Sequence, residues 1–520
     1  MTAGTYPDVR SGLQKLLKDG LLLFNYTGHG GTTALSDEKV LTQTDINQFT
    51  YTHLPVWVTA TCDFTRFDDL NTSAGEDVFL NKSSGGIALF TTVRVAYSRP
   101  NFPINDNVIR NLFERNNGRR RTLGEVLQAT KNTLSSVYKL GFCLIGDPAV
   151  KMAYPEFGMK VTTVNGQSVD GNSISFKALE KITVEGEVLD ASGQLVTDFT
   201  GIVNPTVKDS KVTVTCLKNS NKDDSPAFTF TDYPNTIFIG NDSVRNGKFS
   251  FTFTVPKDIS YSNLQGKMNL YAVDTKSGNE AQGNFDNFIV GGTSDTAETD
   301  TIGPEIRALY LNDTTFVDGG QVNTTPYFVA ELWDKSGVNI TGSSVGHDMM
   351  LVIDESTVLS YNLNSYYELL PGEDGTGIVK FPIPALEPGK HTAEFWVWDI
   401  LNNSTVRTFT FEVVEGLKPF LFDVIATPGI AREQVTFHLM HNRPESRMRV
   451  GIMVYDLAGR QLWKHEESGT SGLFENYTVS WDLTSGGARM RPGVYIYRAA
   501  ISTDNSKDAT KARKFIILGE

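Results

Sequence analysis

Cysteine is scarce in this chain, with three in 520 residues. Three thiols cannot build a disulfide framework, so packed cores must hold the fold, and cysteine use leaves the redox compartment open. No run of about 18 apolar residues occurs, so no transmembrane helix is predicted. A basic surplus is missing as well: 47 Lys and Arg face 60 Asp and Glu, for a formal charge of −13. No surplus is left over to neutralise a phosphate backbone, which argues against nucleic acid as a partner. The first twenty residues are polar and lack the apolar centre of a secretory signal.

At roughly 100–200 residues per domain, the length predicts three to five domains. Residues 1–155 alternate helical and strand patterns. Ser11–Asp19 is amphipathic and stops before Gly20, a helix-closing glycine. Leu21–Tyr26, Leu54–Thr61, Gly86–Val93 and Phe142–Ile145 are continuous apolar runs, the mark of strands buried on both faces. Helical patterns lie between them at Ala74–Lys82, Asn107–Arg115 and Leu123–Leu140. This alternation predicts an α/β domain on a parallel sheet. Its first element is a helix with no strand before it. The sheet is therefore expected to be the second half of a larger one, N-terminally truncated, and the 520 residues alone to be poorly stable or inactive.

From Met159 the texture becomes period-2 strands rich in Val, Thr, Phe and Tyr, separated by Gly, Asn, Asp and Ser turns. Residues 156–292, 300–416 and 417–520 are each expected to form an all-β sandwich, immunoglobulin-like in kind. Gly291–Pro304 reads as a polar, acidic linker.

Two segments carry chemistry. In Asn25–Gly31 (NYTGHGG) a strand runs straight into a Gly-His-Gly-Gly turn, which sets His29 at the carboxyl end of a parallel strand, where open α/β sheets place their sites. In Val56–Asp63 (VWVTATCD) the next strand delivers Cys62 to the same edge. Neighbouring strands lie about 4.8 Å apart, so the imidazole can take the thiol proton and hold a thiolate. The backbone N–H groups of Gly30 and Cys62 are the candidate oxyanion donors. Asp63 is a candidate for orienting substrate or capping a turn. Cys143 and Cys216 are expected to be structural, Cys143 as a buried core thiol. Glu76 reads as an acid at a helix N-terminus, Asp68 and Asp69 as loop carboxylates with calcium possible, and Arg119–Arg121 as a solvated basic turn.

The segments Asn25–Gly31 and Thr59–Asp63 resemble the His and Cys segments of gingipain-type cysteine peptidases, family C25, whose fold is caspase-like. Ser73–Leu80, Gly85–Leu89 and Leu144–Val150 resemble the elements that follow the nucleophile in that family. The resemblance covers about residues 1–155. It implies Cys62 as nucleophile, His29 as general base and acid, and no required cofactor. The acid that orients the family's His comes from upstream of this chain, so no third member is assigned.

Within the family, Phe24–Gly31, Asp334–Asn339 and Val345–Asp348 are similar to the surface sortases of the type IX secretion system. The tail segments Val454–Arg460, Pro492–Tyr497 and Lys514–Leu518 are similar to that system's C-terminal domains, departing from them at Ala426–Gly429. This resemblance implies cargo proteins with C-terminal secretion domains, outer-membrane type IX secretion components and lipopolysaccharide as partners, and a place on the extracellular face of the outer membrane. A conventional secreted endopeptidase and a non-catalytic surface adhesin are the alternatives. The middle β domain favours the sortase. His347 is expected to be structural.

Overall fold

The computed structural model describes residues 6–116, 118–217, 226–295, 300–342, 346–370, 376–503 and 505–518. The chain divides into two compact units, residues 1–156 with 190–194, and the remainder.

The first unit contains α1 (Pro7–Asp19), β1 (Leu23–Thr27), α2 (Gln43–Gln48), β2 (Val56–Ala60), α3 (Ala74–Leu80), β3 (Ala88–Thr92), α4 (Ser98–Phe113), α5 (Leu123–Thr133) and β4 (Phe142–Ile145). Gly20 closes α1 at φ +103°, a conformation open to glycine but strained for other residues. The starts of α2, α3 and α5 follow one recipe. Thr42, Ser73 and Thr122 stand three residues before Asp45, Glu76 and Glu125, and each acid accepts the cap residue's own N–H.

The sheet order is β1-β2-β3-β4. Every residue of β2 and β3 is buried, because helices cover both faces. Trp57 and Leu89 pack with Leu17, Phe64 and Val78 on one face. Val58 and Phe90 pack with Ile104, Val108 and Val126 on the other.

Three expectations need correction. Phe24 is buried, but Asn25 and Thr27 are exposed, because β1 is an edge strand with a single neighbour. The sheet is also not wholly parallel: β1, β2 and β3 are parallel, whereas β4 runs antiparallel to β3. Two helices, α4 and α5, separate β3 from β4 where one would serve a parallel crossover, so the chain returns from the opposite end. Cys143, on the edge strand β4, is half-buried rather than a core thiol.

Arg119, Arg120 and Arg121 do not form a free basic run. They pair with Glu125 at 2.6 Å, Glu156 at 2.8 Å and Glu114 at 2.8 Å.

The second unit is built of β-strands. Phe176, Val184, Val203 and Phe251 anchor one core, supplied by a large mixed sheet and a three-stranded sheet. A four- and a five-stranded sheet enclose Phe328, Phe395 and Phe411. A three- and a five-stranded sheet enclose Phe437, Trp481, Tyr497 and Phe515. In each case the strands alternate inward apolar and outward polar residues, as in Lys181–Leu189 and Gly493–Ser502. Cys216 lies half-buried just past a short exposed ribbon. His347 ties two of these cores: its Nδ1 meets the buried Asp258 carboxylate at 2.6 Å, and its ring lies 4.5 Å from that of Trp398.

Candidate functional site

β1 and β2 pair at a constant offset of thirty-three residues, from Leu23 with Val56 to Thr27 with Ala60. His29 and Cys62 are separated by the same thirty-three. Each follows the last paired residue of its strand by two positions, so the register delivers both to one edge of the sheet. Beyond the paired residues, the Gly28 N–H still donates to the Ala60 carbonyl at 3.4 Å.

The turn that carries His29 is fixed by its backbone. The His29 carbonyl accepts the Tyr26 hydroxyl at 2.6 Å and the Ser36 N–H at 2.7 Å. Gly31 N–H donates to Ala34 at 3.0 Å, closing an isolated bridge between Gly30 and Leu35. His29 itself is exposed. A Cβ on Gly30 would stand 2.4 Å from Oγ1 of the fully buried Thr61, so only glycine lets the two strand ends approach this closely. Gly30→Ala is therefore expected to push the His29 turn off its mate and lower Cys62-dependent kcat/KM by roughly 10²-fold, with the circular dichroism spectrum retained. Activity within threefold of the parent would contradict this.

Cys62 leaves β2 through a sharp turn. The preceding carbonyl, on Thr61, accepts the Thr92 hydroxyl at 2.6 Å. Asp63 takes φ +48°, a left-handed conformation that Asp tolerates, and its N–H donates to Arg94 at 3.4 Å. Asp63 thus makes the turn that follows Cys62. The half-buried Cys62 thiol donates to the Ala96 carbonyl at 3.1 Å, and the Ala96 N–H approaches the sulfur at 3.5 Å. Among the described residues the thiol bonds to Ala96 and not to His29. Catalytic hydrogen bonds are commonly loose before substrate arrives. The N–H groups of Gly30 and Cys62 make no hydrogen bond among the described residues, which leaves both able to meet an oxyanion.

The acids around this edge are engaged. Asp68 pairs with Arg94 at 2.6 Å, and that guanidinium lowers its pKa. Asp69 pairs with Arg66 at 3.6 Å. The partner of the thiol, Ala96, carried no signal in the sequence, because a backbone carbonyl is anonymous there.

Among the described residues, the carboxylates that converge closely enough to hold a cation lie elsewhere. Asp300, Asp334 and Asp399 bring oxygens within 4.8 Å of one another. Asp334 belongs to a segment singled out from the sequence, but its two companions are 34 and 65 residues away. Burial raises the Asp334 pKa to about 6, against N–H donors from Gly337 and Ser336 that lower it, and burial also raises Asp399. The folded state therefore binds more protons than the unfolded one between about pH 4 and pH 6, and stability falls as pH rises through that window. Asp334→Asn keeps the acceptor oxygen and removes the charge. It is expected to raise stability above pH 6 by about 1–3 kcal/mol and to do nothing at pH 4. Chemical denaturation at the two pH values checks this, and an equal effect at both would refute it.

The model of peptidase family C25 matches residues 1–153. None of the curated proteins matches the chain. Among solved structures, dimeric latent PorU from Porphyromonas gingivalis is similar at 34% identity and a TM-score of 0.35, over 99% of this chain and 47% of that one. The complex of the RgpB pro- and mature domains from Porphyromonas gingivalis is similar at 19% identity and a TM-score of 0.26, over 54% of this chain and 57% of that one. The chain thus spans about half the length of the PorU chain it matches. No helix among the described residues is long and apolar enough to cross a membrane.

Proposed function

The first 153 residues belong to peptidase family C25, and from that premise we propose that this chain carries the nucleophile and base of a cell-surface cysteine peptidase of the sortase kind. The α/β unit is read as the second half of a caspase-like catalytic domain, and the β cores as immunoglobulin-like sandwiches with a type IX secretion domain last. The observation that supports the site is the shared offset: strand register and the His29–Cys62 spacing are the same number, so the fold cannot move one residue from the edge without the other.

The chemistry follows from those atoms. His29 takes the Cys62 proton, and the thiolate sulfur attacks the carbonyl carbon of a scissile peptide bond. The N–H groups of Gly30 and Cys62 receive the developing oxyanion. The C–N bond breaks as His29 returns the proton to the leaving amine, and a thioester remains. A primary amine then displaces the sulfur and forms a new amide. In our reading the substrate is a cargo protein bearing a C-terminal secretion domain, delivered by outer-membrane type IX components, and the amine belongs to a lipopolysaccharide on the outer face. We assign Asp63 the orienting of substrate beside the nucleophile. The reaction requires no cofactor, and calcium is proposed only as a structural ion.

The test incubates the full-length protein with such a cargo and a primary amine and reads the cargo masses, with Cys62→Ala as control. A Cys62-dependent amine adduct is expected. Cys62-dependent hydrolysis without an adduct would replace the sortase by a plain endopeptidase, and no cleavage would remove the peptidase reading.

A further inference from the structure

The pair at the sheet edge is flanked by two amide side chains that the chemistry above does not use. α4 leaves the carboxyl end of β3 and runs back over the sheet, so its first turns lie at the edge that holds His29 and Cys62. Farther along, Ile104, Val108 and Leu112 bury the helix against the sheet's apolar face. On the same side of the helix, buried Asn101 precedes this stripe and half-buried Asn105 lies one turn on, beside Ile104.

Their bonds are specific. Asn101 is 4% exposed, and its Nδ2 donates to the Thr61 carbonyl at 3.4 Å. Asn105 Nδ2 donates to Thr27 Oγ1 at 2.6 Å. Thr61 immediately precedes Cys62, and Thr27 stands two residues before His29. One helix face therefore grips both strand ends. The grip has a cost: the amide oxygens of both residues are buried with no partner among the described residues. Apolar residues there would extend the core and orphan nothing.

The need for a grip is clear from the ladder. Among the described residues, the 3.4 Å bond from Gly28 is the one backbone hydrogen bond that ties β1 to β2 past Thr27. β2 ends at Ala60, and its next carbonyl is held by side chains alone, Thr92 and Asn101.

We propose that Asn101 and Asn105 are positioning residues that hold the His29 and Cys62 strand ends in mutual register, so that imidazole and thiol meet when substrate displaces Ala96 from the sulfur. This rests on the cysteine-peptidase reading. It requires neither amide to touch substrate.

The two amides act through opposite chemistry, which makes the inference testable. Asn105 donates to a hydroxyl, and a hydroxyl can reverse its role. In Asn105→Asp the Thr27 O–H donates to the carboxylate, and the link survives. Asn101 donates to a carbonyl, which cannot reverse, so Asn101→Asp sets oxygen against oxygen. The measurement uses the full-length protein. It follows the rate of Cys62 alkylation by iodoacetamide against pH, read by the mass of the Cys62 peptide, together with kcat and KM for peptide cleavage. Asn105→Leu, Asn101→Leu and Asn101→Asp are expected to shift the thiol's alkylation profile to higher pH and to lower kcat about tenfold with KM within twofold. Asn105→Asp is expected to stay within threefold of the parent. Thr27→Val cuts the same bond from an exposed position, where folding is not at stake, and is expected to match Asn105→Leu. Parental profiles in Asn105→Leu and Thr27→Val, or equal losses in Asn105→Asp and Asn105→Leu, overturn the inference. A parental Cys62 that alkylates like a free cysteine overturns the peptidase reading and this inference with it.

Discussion

Cys62→Ala is expected to lower cargo cleavage by on the order of 10⁴-fold or more, while the protein still binds its substrate with similar affinity. In the proposed chemistry the thiolate forms the covalent bond, and its neighbours among the described residues offer no substitute nucleophile: Thr61 is buried and Asp63 sits in a left-handed turn. His29→Ala should cost a comparable factor, because an unpaired thiol at neutral pH is only partly ionised. Residues that act as one unit are not additive, so the double variant should be little worse than Cys62→Ala alone. Steady-state kinetics on the three variants decide the matter. If the losses multiplied, His29 and Cys62 would be acting independently, and the pair derived from the strand register would be wrong.

The largest effect on stability is expected at Trp57, in the middle of the strand that delivers Cys62. It is 1% exposed, its ring centroid lies 4.0 Å from that of Phe24, and its Nε1 donates to the Gly85 carbonyl at 3.2 Å. The adjacent Gly86 leaves room for the indole: a Cβ there would stand 2.5 Å from Trp57. Trp57→Ala removes a large ring from a site closed on all sides, with an expected loss of about 3–5 kcal/mol. For a unit of this size that is a fall of roughly 10 °C in Tm. Calorimetry of the full-length protein measures it through the transition of the α/β unit. A loss under about 1 kcal/mol would mean the core refills the space. Gly86→Ala should reproduce part of the effect from the opposite side.

The placement of His29 and Cys62 at neighbouring strand ends was legible because each segment announces itself locally. An apolar run that ends in Gly-His-Gly-Gly, and another that ends in Thr-Cys-Asp, place polar, reactive groups where a buried strand stops. The turn at Asp63 and the clearance at Gly30 are less legible. Asp and Gly are compatible with such conformations without requiring them, and only the 2.4 Å approach to Thr61 makes Gly30 obligatory. Ala96, Thr92, Asn101 and Asn105 could not be read at all. Their roles depend on which strand end a side chain or carbonyl meets across some 30 to 78 residues of chain. The same holds for Asp300, Asp334 and Asp399, which are unremarkable acids until the fold gathers them.

The sequence by itself determined the α/β-then-β order of the chain, the central buried strands β2 and β3, and the thirty-three-residue spacing that became the register of β1 on β2. These follow from hydrophobic periodicity and from backbone preferences that act within a few residues. The tertiary structure alone decided that β1 is a half-exposed edge, that β4 runs antiparallel, that the arginine run is paired, and that Ala96 holds the thiol. Each of those depends on which distant element comes to lie alongside, and a contact between elements is fixed by the packing of the whole core rather than by either segment's own pattern.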